Sequence, residues 1–251
     1  MARNFNGSTD RIDYASAFDT TGQAITISLW AQFDQPTPGS SSYMFNSASS
    51  GGGPGLLLYV PAATNAIQFF RNGSGSQLDK TTTTGLFTNT GWYHILATHD
   101  GVMTTHSSVH IYINGTEPSY GGGTNGSSEV TSNSGFELGG RSSDDARNFD
   151  GRLAEIGVWN RVLAAGEIAA LAARCAPSFF PRTLKFYPNL IQSPNGAWGI
   201  ARTGTLDGTT VVAHPPMRYP GLVQIASAAG GTPPPPVAGP TLHVMTTGMR
   251  F

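Results

Sequence analysis

Charge is scarce in this sequence. Only 12% of its 251 residues are Asp, Glu, Lys or Arg, and the formal net charge is −1. Globular chains carry about 25% charged residues. No basic stripe exists to neutralise phosphates, which argues against nucleic-acid binding. Cysteine is almost missing: Cys175 stands alone, so no intrachain disulfide can form. That fits folding in a reducing compartment. No apolar run reaches the ~18 residues of a membrane span. Residues Met1 to Gly7 lack the apolar stretch of a secretory signal peptide. The expectation is a soluble protein made in the cytoplasm, touching neither nucleic acid nor membrane.

Glycine is what the chain has in quantity, 32 residues, with Ser, Thr and Asn also frequent. Gly and Asn tolerate the positive φ of tight turns, so many short strands are expected rather than helices. Ile25, Ile27, Leu29, Ala31 and Phe33 alternate with Thr26, Ser28, Trp30 and Gln32, a period of two that marks a strand with one face in a core. Further strands are expected at 56–60, 66–71, 92–98, 109–113, 136–138 and 153–159. Asn72-Gly73 and Asn114-Gly115 read as hairpin turns. One helix is expected from Ala164 to Arg174, with Pro177 just beyond its end. The spacing of turns predicts an all-β fold of two antiparallel sheets packed face to face.

The texture changes near Pro177. Phe179-Phe180-Pro181, Pro188, Pro215-Pro216 and the run Pro233 to Pro236 leave few regular apolar positions. The expected division is a sandwich domain, 1–176, and an extended Pro/Gly-rich appendage, 177–251. Such a segment cannot bury a core of its own. It should lie on the sandwich, on a neighbouring subunit, or in solvent. Phe179, Phe180, Tyr187, Trp198, Tyr219 and Phe251 are its candidate partner contacts.

Three stretches together resemble the laminin-G-like, or concanavalin A-like lectin, jelly roll. They are Phe5 to Ile12 with Ile25 to Trp30, then Gly91 to Gly101 with Val109 to Gly115, then Phe149 to Ile156 with Trp159 to Arg161 and the helix at Glu167-Ile168. The appendage, through Tyr187-Pro188, Gly204-Thr205-Leu206 and Ala213 to Pro216, resembles tails of phage and prophage virion proteins. That second resemblance implies a structural virion protein, a capsid decoration protein above all. It would form a homo-oligomer, contact other capsid proteins and be located in the virion. The alternative is a glycan-binding adhesin or receptor-binding module, using the loops 40–55 and 120–134.

The related glucanases carry their two catalytic carboxylates as Glu-x-Asp-x-x-Glu on one strand. The five glutamates here, Glu117, Glu129, Glu137, Glu155 and Glu167, never fall in that spacing, and no enzyme is expected. The resemblance also implies calcium, held by loop oxygens, with Asp10, Asp13, Asp144, Asp145 and Asp150 as candidates. The family often has Asp before the glutamate at position 155; here Ala154 stands there. Zinc is not expected: His106 and His110, at i and i+4, come close enough to share an ion only on a helix, and this stretch reads as a strand. His94 and His99 read as structural. Trp30, Trp92 and Trp159 belong to core motifs, which leaves Tyr43, Tyr59 and Tyr120 as candidate sugar-binding aromatics.

Overall fold

The computed structural model describes residues 2–14, 22–48, 54–129, 135–141, 147–188, 190, 196–199 and 204–219. All fall within the first of two compact units, Met1–Gly221; the second, Leu222–Phe251, lies outside the described residues. The expected all-β sandwich is present. One sheet runs in the order β14 (Gly196–Gly199), β13 (Leu184–Pro188), β12 (Asp150–Trp159), β3 (Ile25–Phe33), β8 (Tyr93–His99), β9 (Val109–Ile113). β1 (Ala2–Asn6) also pairs with β12, and β16 (Thr210–Val212) pairs with β1. The other sheet runs β10 (Tyr120–Thr124), β7 (Leu78–Thr82), β6 (Gln68–Arg71), β5 (Pro54–Val60), β4 (Ser42–Ala48), β11 (Phe136–Leu138), β2 (Arg11–Tyr14), β15 (Gly204–Asp207). The named strands pair antiparallel throughout.

The period-two residues of β3 point inward as expected, and Ile25, Ile27, Leu29, Ala31 and Phe33 are all buried in the main core. Leu56, Leu58 and Val60 answer them from the second sheet. Full burial of each such side chain contributes about 1.5–3 kcal/mol. At the centre Phe136 stacks on Tyr14 at 4.5 Å between ring centroids, and meets Phe186 edge-on at 4.6 Å.

Asn114 and Gly115 form the anticipated tight hairpin. Their φ values are +51° and +82°, and Ile113 and Thr116 exchange both backbone hydrogen bonds. Asn72-Gly73 does not: β6 ends at Arg71 and β7 starts at Leu78. Asn72 N–H instead donates to Gly55 O, and Ser74 N–H to Ser128 O. The chain there serves neighbouring loops rather than the shortest return.

The helix α1 (Ala165–Ala172) forms within its expected span. Ala164 at its N-cap has no side-chain acceptor; Glu167 accepts the Ala164 N–H at 2.8 Å instead. Its buried residues, Ile168 and Leu171, cover the outer face of the first sheet together with Trp159, Leu96 and Leu184. Thr26, Ser28 and His94, on that outer face, are buried too, and Trp30 is buried there in a separate cluster with Ala2, Ala154 and Met217.

The expected boundary at 177 does not divide the sandwich from an appendage, because strands beyond it belong to the sheets. β13 and β14 extend the first sheet, β15 edges the second, and β16 pairs with β1. An edge strand needs a backbone ladder and a few anchors, not a full apolar period. Phe186 is the main anchor, 1% exposed, with Tyr14 at 5.0 Å.

Candidate functional site

The outer face of the second sheet carries an unusual group of apolar side chains. Solvent-facing sheet positions are normally polar. Here Leu57, Phe70 and Tyr43 are buried against one another, with Tyr59 partly buried beside them. Strand pairing explains the grouping: Tyr43 lies opposite Tyr59, and Leu57 opposite Phe70. A bulge between Tyr43 and Phe45 sends Met44 and Phe45 into the core and returns Asn46 to the outer side, opposite Leu57. The Tyr43 and Tyr59 rings meet edge-on at 5.2 Å. Arg141 and Arg147 place their guanidinium carbons 5.9 and 5.8 Å from the Tyr43 ring centre, within cation–π range.

A polar row continues from this patch. Asn46 pairs with Glu137 across β4 and β11, and Glu137 with Asp13 across β11 and β2. Asn46 Nδ2 donates to Glu137 Oε2 at 2.6 Å. Arg11 Nε donates to Asp13 Oδ2 at 3.0 Å. Asn46 Oδ1 and Asp13 Oδ1 are buried acceptors with no hydrogen-bond partner among the described residues. Burial raises the Asp13 pKa, opposed by Arg11 and reinforced by Glu137 and Asp207. Burial likewise raises the Tyr59 pKa, with smaller contributions from Tyr43 and Asp79. Its phenol stays protonated and donates to Gln68 Oε1 at 2.6 Å.

Two of the three tyrosines expected to bind ligand thus come together. The third, Tyr120, sits on β10 at the far edge of the sheet, and its contacts are internal. Its hydroxyl accepts Ile111 N–H at 2.9 Å and donates to Glu117. The Lys80 ammonium lies 3.8 Å above its ring. Of the loops expected to bind glycan, part is strand (β4 and β10), and residues 49–53 and 130–134 lie outside the described residues. Periodicity over β4 to β6 missed Leu57, Phe70 and Asn46 because only one face of each strand was assigned a role.

Among the described residues the calcium candidates Asp10, Asp13 and Asp150 do not gather into one site, and no three His, Cys, Asp or Glu side chains assemble as a metal-binding group. Asp13 is on a strand and bound to Arg11. A Cβ on Gly208 would fall 1.9 Å from Asp10 Oδ1, and one on Gly7 would fall 2.8 Å from Asp150 Cβ, so each carboxylate is packed against glycine backbone. Asp144 and Asp145 lie outside the described residues.

The candidate partner contacts divide. Tyr187 and Tyr219 turn onto their own chain: both hydroxyls donate to Glu155, at 2.5 and 2.6 Å. Tyr187 is buried there. Phe180 packs against the cluster under α1, whereas Phe179 is exposed. The side chain of Trp198, and all of Phe251, lie outside the described residues. The structural reading of the histidines fits their positions: His94 is fully buried with Ser28 Oγ at 2.9 Å from its Nε2, and His99 sits beside Arg71.

Residues 6–169 match the family model described as the concanavalin A-like lectin/glucanases superfamily. No curated protein matches the chain. Among solved structures, the chain is similar to a putative carbohydrate binding protein from Bacteroides ovatus. The TM-score is 0.59 at 19% identity, covering 83% of this chain and 58% of that one. It is also similar to a heptameric SAP-like pentraxin from Limulus polyphemus, with TM-score 0.52 at 14% identity, covering 83% and 93%. At these identities the likeness is one of fold. The family match ends before the segment that resembles virion tails, and neither of these structures supports that resemblance. The chain belongs to the concanavalin A-like lectin/glucanases superfamily.

Proposed function

We propose that this protein is a carbohydrate-binding module without catalytic activity, and that its site is the outer face of the second sheet. The observation that carries this reading is the patch of Tyr43, Tyr59, Leu57 and Phe70 lying beside Asn46, Glu137 and Asp13. Pyranose rings offer one apolar face and a rim of hydroxyls. Tyr59, the least buried of the group, offers a ring face, and the orphaned acceptors beside it a polar rim, which together are complementary to both. A buried acceptor left unpaired costs about 1–3 kcal/mol, and sugar hydroxyls meeting Asn46 Oδ1 and Asp13 Oδ1, once those side chains turn outward, would recover part of that. The description of the Bacteroides ovatus protein as a putative carbohydrate binder agrees with the reading.

This reading takes precedence over the capsid decoration role. The strands β13, β15 and β16 find their hydrogen-bonding partners within the same sandwich, so the need for a neighbouring subunit that motivated that role is reduced.

Binding to a panel of immobilised oligosaccharides tests the proposal. Saturable binding to at least one glycan is expected, and Tyr59→Ala should reduce it at least about tenfold, the loss of roughly 1.4 kcal/mol. Binding untouched by both Tyr59→Ala and Asn46→Ala, or no binding across the panel, overturns the assignment.

A further inference from the structure

A recess lies on the opposite side of the sandwich from the Tyr43 and Tyr59 patch, beside α1. It encloses about 430 Å³ and is lined by Arg161, Glu167, Phe179, Phe180, Pro181 and Arg182, with Ala164 at its rim. That volume lies in the range of small ligand sites, about 300–1,000 Å³.

The recess is rigidly built. Residues 177–179 form a 3₁₀ turn. Trp159, fully buried, donates its indole N–H to Phe180 O at 2.7 Å, and Phe180 N–H donates to Pro177 O at 3.0 Å. Leu184 N–H closes the segment on Pro181 O at 3.1 Å. On the other wall Arg161 grips Glu167 with both terminal nitrogens, at 2.6 and 2.7 Å. Its Nε reaches Arg182 O at 3.4 Å.

The charges do not cancel. Arg161 is matched by Glu167, which leaves one positive charge, Arg182, among the lining residues. Its field reaches into the recess: Glu167 has a lowered pKa, through its hydrogen bond to Arg161 first and with the Arg182 charge contributing. Beside it stands Phe179, 39% exposed and the one aromatic among the exposed large hydrophobics of the described residues. A guanidinium next to an open aromatic face suits a ligand that is anionic at one point and apolar at the next.

We propose that this recess docks a partner polypeptide presenting a carboxylate beside an aromatic or aliphatic side chain. The carboxylate pairs with Arg182, and the apolar side chain packs on Phe179 and Pro181. The site is separate from the glycan-binding face and does not depend on it.

Amide NMR titration of the full chain tests this, with N-acetyl-Gly-Phe-Asp-amide as probe and N-acetyl-Gly-Phe-Asn-amide as its neutral counterpart. Saturable shifts are expected at Phe179, Phe180 and Arg182, with a Kd in the millimolar range for so short a probe, about −4 kcal/mol. The Asn peptide should bind at least about fivefold more weakly. Arg182→Glu should weaken the Asp peptide at least about tenfold while unfolding at the same temperature as the parent, because the side chain is exposed. Phe179→Ser provides a second, apolar test, expected to weaken both peptides. Equal binding of the Asp and Asn peptides, shifts centred elsewhere, or no shifts at about 10 mM peptide, well above the expected Kd, overturns the proposal. So does equal competition by glucuronate, which would assign the recess to acidic sugars.

Discussion

Lys80 Nζ donates to the backbone carbonyl of Val109 at 2.7 Å, carrying a charge from β7, the second strand of one sheet, to β9 at the edge of the other. β9 is an edge strand of the first sheet, and several of its outward backbone groups are engaged. Val109 O has Lys80, Ile111 N–H has the Tyr120 hydroxyl, and Ile113 N–H has Thr116 O. Open strand edges recruit other chains. Lys80 is 7% exposed, and burial lowers its pKa.

Removing that cap should therefore both destabilise the protein and make it associate. Lys80→Met keeps the aliphatic stem and deletes the donor. The loss of a hydrogen bond from a charged group is expected to cost about 1.5–3 kcal/mol, or several degrees of Tm in a domain of this size. Tyr120→Phe should act in the same direction and more weakly. Thermal unfolding and light scattering check this; unchanged Tm and scattering in both variants would show that the edge needs no cap.

Acid should destabilise the fold well before its carboxylates protonate. Burial holds the pKa of His94 at about 3 and, with the Arg71 charge assisting, that of His99 at about 4, both from 6.5. Arg71 Nη1 donates to His99 Nδ1 at 2.6 Å, and His99 Nε2 then donates to Val102 O at 3.2 Å, which fixes the neutral tautomer. The unfolded chain binds these protons near pH 6.5 and the folded chain does not. Stability is therefore complete above about 6.5 and declines as pH falls toward 4 and 3. The limiting slope is about 1.4 kcal/mol per pH unit for each histidine. Urea unfolding from neutral pH down to the His99 value measures it, and His94→Gln should remove its share of the slope. A flat profile would show that neither ring is held neutral.

Glu155 fastens the end of the described chain. It occupies a bulge of β12 with φ +51° and accepts hydroxyls from Tyr187 and Tyr219. Nearby, Ala176 N–H donates to Arg218 O and Arg218 N–H to Arg174 O. Glu155→Ala should leave one buried and one half-buried phenol without their acceptor, at about 1–3 kcal/mol. The loss should appear locally, as faster hydrogen exchange at Arg218 and Ala176, while β3 and β8 exchange as before. Uniform acceleration across the sheets would mean the clasp supports the whole fold instead.

How far the sequence can be read depends on which physical signal a residue leaves. Ile25 to Phe33 announces its strand because one face must be greasy to be buried, and β12 and β8 pair beside it as the motifs imply. Asn114-Gly115 is legible because two successive positive φ values favour those residue types. β15 is not legible, since its burial is slight and its ladder depends on a partner far away in the chain, at β2; Thr209 to Ala213 reads as strand-like, yet nothing in it announces that β16 pairs with β1. Tyr43 and Tyr59 could be named as aromatics but not as neighbours, since their meeting depends on the register of β4 against β5 and on one bulge. Asn46 and Lys80 leave no sequence signal, because each owes its role to what stands opposite it.

The polar row of the proposed glycan-binding face allows a sharper expectation than loss of binding alone. Among the described residues Asn46 Oδ1 accepts no hydrogen bond, while its Nδ2 donates to Glu137. Replacing it with alanine removes an unsatisfied acceptor but also takes one donor from the Glu137 carboxylate, so the stability change should be small, within about 1 kcal/mol. If Oδ1 receives a sugar hydroxyl, affinity should fall by a larger factor, about fivefold to tenfold, for the loss of one such hydrogen bond. Asn46→Asp keeps the acceptor yet sets a second carboxylate against Glu137, so it should weaken both folding and binding. Calorimetric titration with the best glycan from the panel, alongside thermal unfolding, separates the two effects. Affinity and stability falling in proportion in both variants would make Asn46 a support of the sheet rather than a contact to the ligand.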